Sequence, residues 1–288
     1  ARRAAVVAPV YGGVLAAAER VGQYRQLADT MREAGRQAEE RFRAGEAPST
    51  EVAQAAARLA EAEAALAQAS GAEVSIRARY RHLTGEEPAD LAPLPENPPL
   101  PATLDEALLA ANEHSPELRE AEADLRAAEA GARAARAGWL PEVNAFAEGA
   151  IVRDQFFPAY RSNGTTVGVR GRWTLFSART LGETKEKSAE LRGADARLRA
   201  TRMAVEEQVL AAFAGVRTMA LVEQAATRQA GAARQAFQDV REEVAVGMKP
   251  QLALLDAARE AAAAAAAAAE ARSGRLVAAY RLNALIGR

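Results

Sequence analysis

His82 and His114 are the only histidines, and there is no cysteine to serve as nucleophile, thiolate ligand or disulfide partner. His82 sits in the helix tail "YRHLTG" and His114 just ahead of Ser115. Both are read as structural. The many Glu and Arg pairs recur at helix-surface spacing, which suits solvated ion pairs and not acid–base dyads. The sequence therefore predicts no enzyme: no catalytic residue, no cofactor and no metal. With 37 basic and 38 acidic residues interspersed and a net charge of −1, there is no cationic field for nucleic acid. The remaining chemistry is that of solvation. In "TTVGVRGRWTLF", residues 165–176, Arg170 and Arg172 share a side with Thr166, Gly168 and Thr174, while Val167, Val169, Gly171, Trp173 and Leu175 share the other. A ribbon with that alternation suits water on one face and hydrocarbon on the other.

The elements around this stretch read as helix. Helical periodicity runs over 14–43, 50–82, 103–137, 178–246 and 251–286, and an aromatic share of 5% with abundant alanine favours thin, close helix-on-helix packing. No apolar run approaches the length of a membrane helix. "GEEPADLAPLPENPPLP" forbids helix and reads as a linker over 87–102, followed by a capping box at Thr103 to Glu106 and a second helix start at Ser115-Pro116. A partner for the alternating stretch lies upstream in "EVNAFAEGAIV": Val143, Ala145, Ala147, Gly149 and Ile151 alternate against Asn144, Phe146 and Glu148. The predicted strand pair is 142–153 and 165–176, joined by a loop. Each strand matches the roughly nine to eleven residues that span a membrane as β-strand. Val167, Val169, Trp173 and Leu175 would then face lipid, with Trp173, Phe156, Phe157 and Tyr160 as interfacial aromatics. Two strands cannot close a barrel, so several subunits would have to contribute jointly. A soluble hairpin lying on the helices is the alternative.

The chain also repeats itself. Gly45 with Pro48 and Gly247 with Pro250 stand at an offset of 202 positions; Tyr11 and Phe213 precede the two glycines by the same distance, and "YRHLTG" and "YRLNALIG" follow them to Gly85 and Gly287. Each unit reads as a long helix, a glycine turn in the left-handed C-cap conformation, and a returning antiparallel helix. The returning helices carry a seam at spacings of three and four: Val52, Ala55, Leu59, Ala62, Leu66 and Ala69, matched by Leu254, Ala257, Ala261, Ala264, Ala268 and Ala271. Leu191, Leu198, Val205, Val209 and Val216 continue the pattern on the outgoing helix, which would be about 100 Å long.

These segments in order, "LDEALLAANEHSPELREAEADLRAAEAGARAARAGWLPEVNAFAE", "VGVRGRWTLF", "EEQVLAAF", "VAVGMKPQLALLDA" and "AYRLNALIG", resemble the second structural repeat of the TolC-like outer-membrane efflux proteins, and residues 11–85 resemble the later part of the first. The resemblance implies a mainly α fold: long antiparallel coiled-coil hairpins forming an α-barrel tunnel, with a short transmembrane β-hairpin contributed to an oligomeric β-barrel. The divisions are an incomplete first repeat over 1–86, the linker, and a second repeat over 103–288. The resemblance implies a homotrimer in the bacterial outer membrane with a periplasmic extension, embedded in outer-membrane lipid. It would be a passive exit duct for tripartite efflux or type I secretion, docking to a periplasmic adaptor protein and an inner-membrane transporter. The docking tips would be Gly45, Glu46, Pro48, Ser49 and Thr50, and Gly247, Met248, Lys249, Pro250 and Gln251. Asn144, Glu148, Arg170 and Arg172 would face the pore, with Asp256 as a charge near the tunnel entrance, although a solvated helix-surface role is the simpler reading of Asp256.

Two features depart from the family pattern. Its members carry strands in both repeats, four per subunit and twelve per trimer, whereas this first repeat begins inside its long helix, so an N-terminally incomplete chain is expected. "FSAR" at 176–179 stands where a glycine-rich turn is usual. The rival to the duct is a soluble coiled-coil scaffold or interaction protein decorated by the hairpin.

Overall fold

The computed structural model describes residues 2–93, 98–154 and 157–287. Its elements in order are α1 (Arg2–Arg43), α2 (Ser49–Thr84), α3 (Leu104–His114), α4 (Pro116–Ala137), β1 (Glu142–Arg153), β2 (Arg161–Arg172), α5 (Ala178–Ala245) and α6 (Gln251–Leu285). They form two compact units, one of residues 1–116 with 205–288 and one of residues 117–204.

In the first unit the predicted glycine turns are present, and they are twins. Gly45 has φ +76° and Gly247 φ +77°. At each, the glycine N–H donates three residues back (to Phe42 and Val244, 3.0 Å both) and the next N–H donates five back (Glu46 to Arg41 and Met248 to Glu243, 2.8 Å both), which is the Schellman pattern. Pro48 and Pro250 then start the returning helices from extended backbone, at φ −77° and −74°. Gly85 and Gly287 form a second left-handed pair 40 residues on.

Both turns reverse the chain, and the reversed helices pack through alanine. α1 packs against α2 and against α6. The α2 seam is as predicted: Ala55, Ala62 and Ala69 are buried, and Val52, Leu59 and Leu66 close over the core formed by Leu27, Ala28, Met31, Ala34 and Ala38 of α1. On α6 the structure adds to the prediction. The predicted stripe is there, with Ala264, Ala268 and Ala271 buried, but Leu255, Ala258, Ala262, Ala266, Ala269 and Ser273 are buried too, on the opposite side of the helix. Leu255, Ala258 and Ala262 belong to the α1 core. The other side meets α5, where Arg275 pairs with Glu223 at 2.9 Å and Gly274 lies beside Met219. α6 thus meets α1 on one side and α5 on the other, and it also touches α2.

The linker is held to three of these helices, α1, α2 and α6. The Tyr11 hydroxyl donates to the Ala92 carbonyl at 2.6 Å, Arg77 Nη2 to Pro88 at 3.1 Å, and Asn283 Nδ2 to Pro99 at 3.3 Å. Residues 94–97 of the linker lie outside the described residues. The capping box forms with one variation: Thr103 Oγ1 accepts from Glu106 N–H at 3.2 Å, while the Glu106 carboxylate accepts from Ala102 N–H at 2.8 Å.

In the second unit β1 and β2 are antiparallel, paired without interruption from Glu142↔Arg172 to Arg153↔Arg161. The first strand matches its predicted bounds. The second is displaced: it runs 161–172, not 165–176. Arg161 to Gly164 show no apolar alternation, yet the backbone groups of Ala150 to Arg153 need partners and find them there. At the other end Trp173 would face Pro141, which has no N–H to donate, so the ladder stops at Arg172. "FSAR" proves to be a helix start: Ser177 Oγ accepts from Thr180 N–H at 3.2 Å, and Ser177 O accepts from Leu181 N–H.

The double burial of α6 makes it the element least tolerant of added volume. Ala262→Leu is expected to destabilise the protein by about 1–3 kcal/mol through overpacking against α1. Ala267→Leu, one turn along on an exposed side, is expected to be nearly neutral. Thermal unfolding of the two variants side by side checks this.

Candidate functional site

Three places carry the predicted site residues, and the hairpin is the first. Cross-strand partners share a face, so the register puts Glu142, Asn144, Phe146 and Glu148 on the same side as Arg172, Arg170, Gly168 and Thr166. Asn144 stands directly opposite Arg170. Glu148 faces Thr166, and Arg172 faces Glu142. The four predicted pore-facing strand residues therefore do lie on one face. That face has one feature the alternation did not reveal. The Phe146 ring lies across Gly168, where a Cβ would come within 2.9 Å of it, and the Arg170 guanidinium carbon sits 4.8 Å from the ring centre. Gly168 is thus a glycine because an aromatic covers it.

The opposite face carries Val143, Ala145, Ala147 and Ile151 with Val169 and Val167. Among the described residues nothing covers it: Val143, Ile151, Val167 and Val169 are 69%, 72%, 77% and 72% exposed. Of the four residues expected to face lipid, Val167 and Val169 are on this face. Trp173 and Leu175 are corrected: both lie past the end of β2, so strand alternation does not assign them a side. Trp173 instead anchors the end of the hairpin, its indole N–H donating to the Trp139 carbonyl at 3.0 Å, while the Trp139 indole donates to Thr184 of α5 at 3.2 Å. At the other end Phe157 and Tyr160 meet edge to face, with centroids 5.3 Å apart. Phe156 lies outside the described residues. Aromatic pairs therefore flank the apolar face at both ends.

The second place is the pair of turns. Glu46, Ser49 and Thr50 are exposed beside Gly45, and Arg41 braces that turn through Glu51 at 2.8 Å. At the other turn Met248 is 75% exposed, Lys249 pairs with Glu243 at 2.7 Å, and Pro250 and Gln251 lead into α6. Val246 and Phe42 are exposed large apolar residues beside these turns.

The third place is where Asp256 lies, two to three turns from the glycines. It is no isolated surface charge. Arg58 of α2 pairs with Glu61 at 2.9 Å and reaches across to Asp256 of α6 at 3.1 Å, while Arg259 of α6 reaches back to Glu61 at 3.4 Å. The basic and acidic residues alternate in opposite order on the two helices, so each cation has an anion on the facing helix. Hydrogen bonding from Arg58, then the charge of Arg259, holds the Glu61 carboxyl below its ordinary range. Hydrogen bonding to Glu61, followed by the Asp256 charge, raises Arg58. These four rim a cavity of about 540 Å³ floored by Tyr24, Leu27 and Met31. The reversed Arg-x-x-Glu and Asp-x-x-Arg spacing is visible in the sequence, but which helices face one another is not.

Among the described residues no cluster of acidic residues and histidines has metal-binding geometry, and the three places amount to charged turns, a charged groove and a two-faced ribbon. No curated protein matches the chain in sequence. Solved structures share its fold. A membrane protein from Pseudomonas aeruginosa superposes with a TM-score of 0.83 at 20% identity, over 99% of this chain and 68% of that one. The outer-membrane channel OprN gives 0.82 at 24% identity over 99% and 66%. The open state of the MtrE outer membrane channel of Neisseria gonorrhoeae gives 0.82 at 22% identity, again over 99% and 66%. This chain spans about two thirds of the length of each. Residues 107–288 match the family described as outer membrane efflux protein, and the chain accordingly belongs to the outer membrane efflux protein family.

Proposed function

We propose that this chain is the greater part of one subunit of a passive outer-membrane duct. In this reading three copies contribute strands to one barrel and helices to one periplasmic tunnel. The turns at Gly45 and Gly247 meet a periplasmic adaptor, and an inner-membrane transporter beyond it supplies the energy. The observation that carries the reading is the hairpin: strands of twelve residues with one uncovered Val and Ile face, one face of Asn, Glu and Arg, and aromatics at both ends. An exposed apolar ribbon of that length is a poor solution in water and a good one across a bilayer. Asn144, Glu148, Arg170 and Arg172 then line water. Asp256 lies in a charged bridge between α2 and α6 close to the turns, where it ties the two hairpins together near the entrance.

Residues 1–288 contain no cysteine, so within them a thiol-directed label attaches only where one is introduced. An environment-sensitive fluorophore placed singly at Val167→Cys and at Thr166→Cys of the full-length protein in vesicles should report acyl chains at 167 and water at 166. Water at both positions, with the protein released freely without detergent, would favour the soluble scaffold. In planar bilayers the double charge reversal Arg170→Glu with Arg172→Glu should move the reversal potential toward cation selectivity at an unchanged expression level; an unmoved potential removes these residues from the pore.

Gly247→Val forces a β-branched residue to φ +77°, which costs on the order of 1–2 kcal/mol or more at that turn. Adaptor pull-down and export should fall together while insertion into the outer membrane persists. Unchanged export would mean the turn is not the docking tip.

Arg58→Ala removes the cation shared by Glu61 and Asp256. Because the groups are solvated, stability should change little. Conductance should rise as α2 and α6 lose their tie, and the wild-type protein should show a similar rise as pH falls through the lowered Glu61 pKa. That sign follows because a depressed carboxyl contributes its pairing only while ionised.

A further inference from the structure

The hairpin face that carries Val143, Ala145, Ala147 and Ile151 does not end on an apolar pair. One step further along the same alternation, at the end joined to neither α4 nor α5, its last cross-strand pair is Arg153 opposite Arg161. We propose that these two arginines bind the phosphate of a membrane lipid, in the leaflet farther from the helices. The inference rests on the membrane reading above and names the headgroup chemistry at one end of the hairpin.

The backbone makes this pair unfavourable without an anion. Just beyond it the Asp154 N–H donates to the Tyr160 carbonyl at 2.7 Å. Asp154 and Tyr160 are thus a hydrogen-bonded pair, and Arg153 with Arg161, one step in, is the closer non-hydrogen-bonded kind, with Cα atoms about 4.5 Å apart. Like charges directly opposite one another at that spacing repel. Among the described residues neither guanidinium has an ion-pair or hydrogen-bond partner, and both arginines are exposed. Asp154, the only acid between Glu148 and Glu183, uses a carboxylate oxygen to close the loop, accepting from the Ala159 N–H at 2.7 Å. A phosphate group offers oxygens to a guanidinium on each side of it, and arginine meets phosphate through two parallel hydrogen bonds.

The surroundings of the pair select a lipid over a free ion. From Val143 to Ile151 the strand runs about 27 Å, which at a tilt of about 40° covers some 20 Å of a barrel's roughly 25 Å apolar band. Arg153 follows two residues later on the same face. Its guanidinium and that of Arg161 therefore come level with the headgroups while their methylene stems lie along the hydrocarbon edge, the arrangement in which arginine tolerates a membrane. Asn163, opposite Ile151, and the edge-to-face rings of Phe157 and Tyr160 mark the same level. The charge is also one-sided. At the helix end of this face the last pair is Val143 opposite Gly171, with no cation, and Arg170 and Arg172 belong to the wet face. A site for an anion dissolved in water needs no apolar approach, whereas a lipid phosphate arrives at the end of one.

The test titrates full-length protein in neutral detergent with lipid A, a phosphorylated glycolipid, and counts bound lipid by native mass spectrometry. Arg153→Gln with Arg161→Gln should lower the affinity about fivefold per arginine, some 30-fold together. Arg170→Gln with Arg172→Gln, the same loss of charge on the other face, should leave it unchanged. Thermal unfolding shows that the first variant is folded: without lipid its midpoint should equal or exceed that of the wild type, because a repulsion has been removed, and lipid A should raise the midpoint of the wild type alone. Equal lipid affinity in the wild type and the Arg153, Arg161 variant overturns the site. Inorganic phosphate that raises the wild-type midpoint as far as lipid A does overturns the lipid as its occupant. The fluorophore at Val167→Cys separates this from the membrane reading. Acyl chains at 167 without a loss of lipid affinity in the variant remove the site and leave the duct standing. Water at 167 with that loss keeps the phosphate pair and overturns the spanning hairpin, and water at 167 without it overturns both.

Discussion

Close approach of helices through alanine is the constraint on which the first unit depends. A helix of leucine can bury one stripe and must keep its neighbours at arm's length. The run of alanine through α6 is narrow on every side, so α6 is buried against α1 on one face and against α5 on the other. The same economy of side-chain volume holds Ala55, Ala62 and Ala69 of α2 against α1. Little apolar area is buried per contact, and the contacts succeed because they are repeated over ten or so turns, each adding a small increment of dispersion and burial. Such packing sets helix spacing tightly while leaving long edges uncovered. A lateral assembly of helices needs both properties.

The duplication is legible at three levels that need not have agreed. The glycine and proline offsets are a property of sequence; the matched φ values and hydrogen bonds at Gly45 and Gly247 are a property of backbone; the packing partners of α1 and α6 are a property of tertiary structure. Their agreement means the two turns are one local solution used twice. The differences between the copies then become informative. Lys249 and Met248 stand where the first turn has Ala47 and Glu46, and Leu221 and Val222 stand where α1 has an ion-paired Glu and Arg.

Much of this was readable from the sequence because periodicity and punctuation are local signals. The helices, the Schellman turns and the first strand follow from spacing, glycine and proline, and the identity of the two hairpin faces follows from a period of two. The bounds of β2 did not, for a physical reason. A strand continues as long as its neighbour has backbone groups to pair, whatever the side chains, and it stops where the neighbour is Pro141. That information lies in the partner, not in residues 161–176. The second buried stripe of α6 was hidden for the opposite reason: in a run of alanine every stripe looks alike, so composition allows burial without saying on which side. The Arg58–Asp256 bridge combines residues from two repeats, and only the fold brings α2 and α6 together. Trp173 was misplaced because an aromatic at a strand end serves equally as a strand residue and as an anchor, and its hydrogen bond to Trp139 decided which.

Each unit, taken alone, is left with something unfinished, and the two deficits are of the same kind. The hairpin has every interior backbone group paired across one edge of each strand and unpaired on the other, which neither water-excluding lipid nor a soluble surface tolerates as a lasting state. The helical unit likewise keeps large apolar residues exposed, among them Val74, Leu210 and Leu221. On the proposed reading copies of the chain cover what each leaves open, because every subunit of a ring must present both sides of the joint it makes.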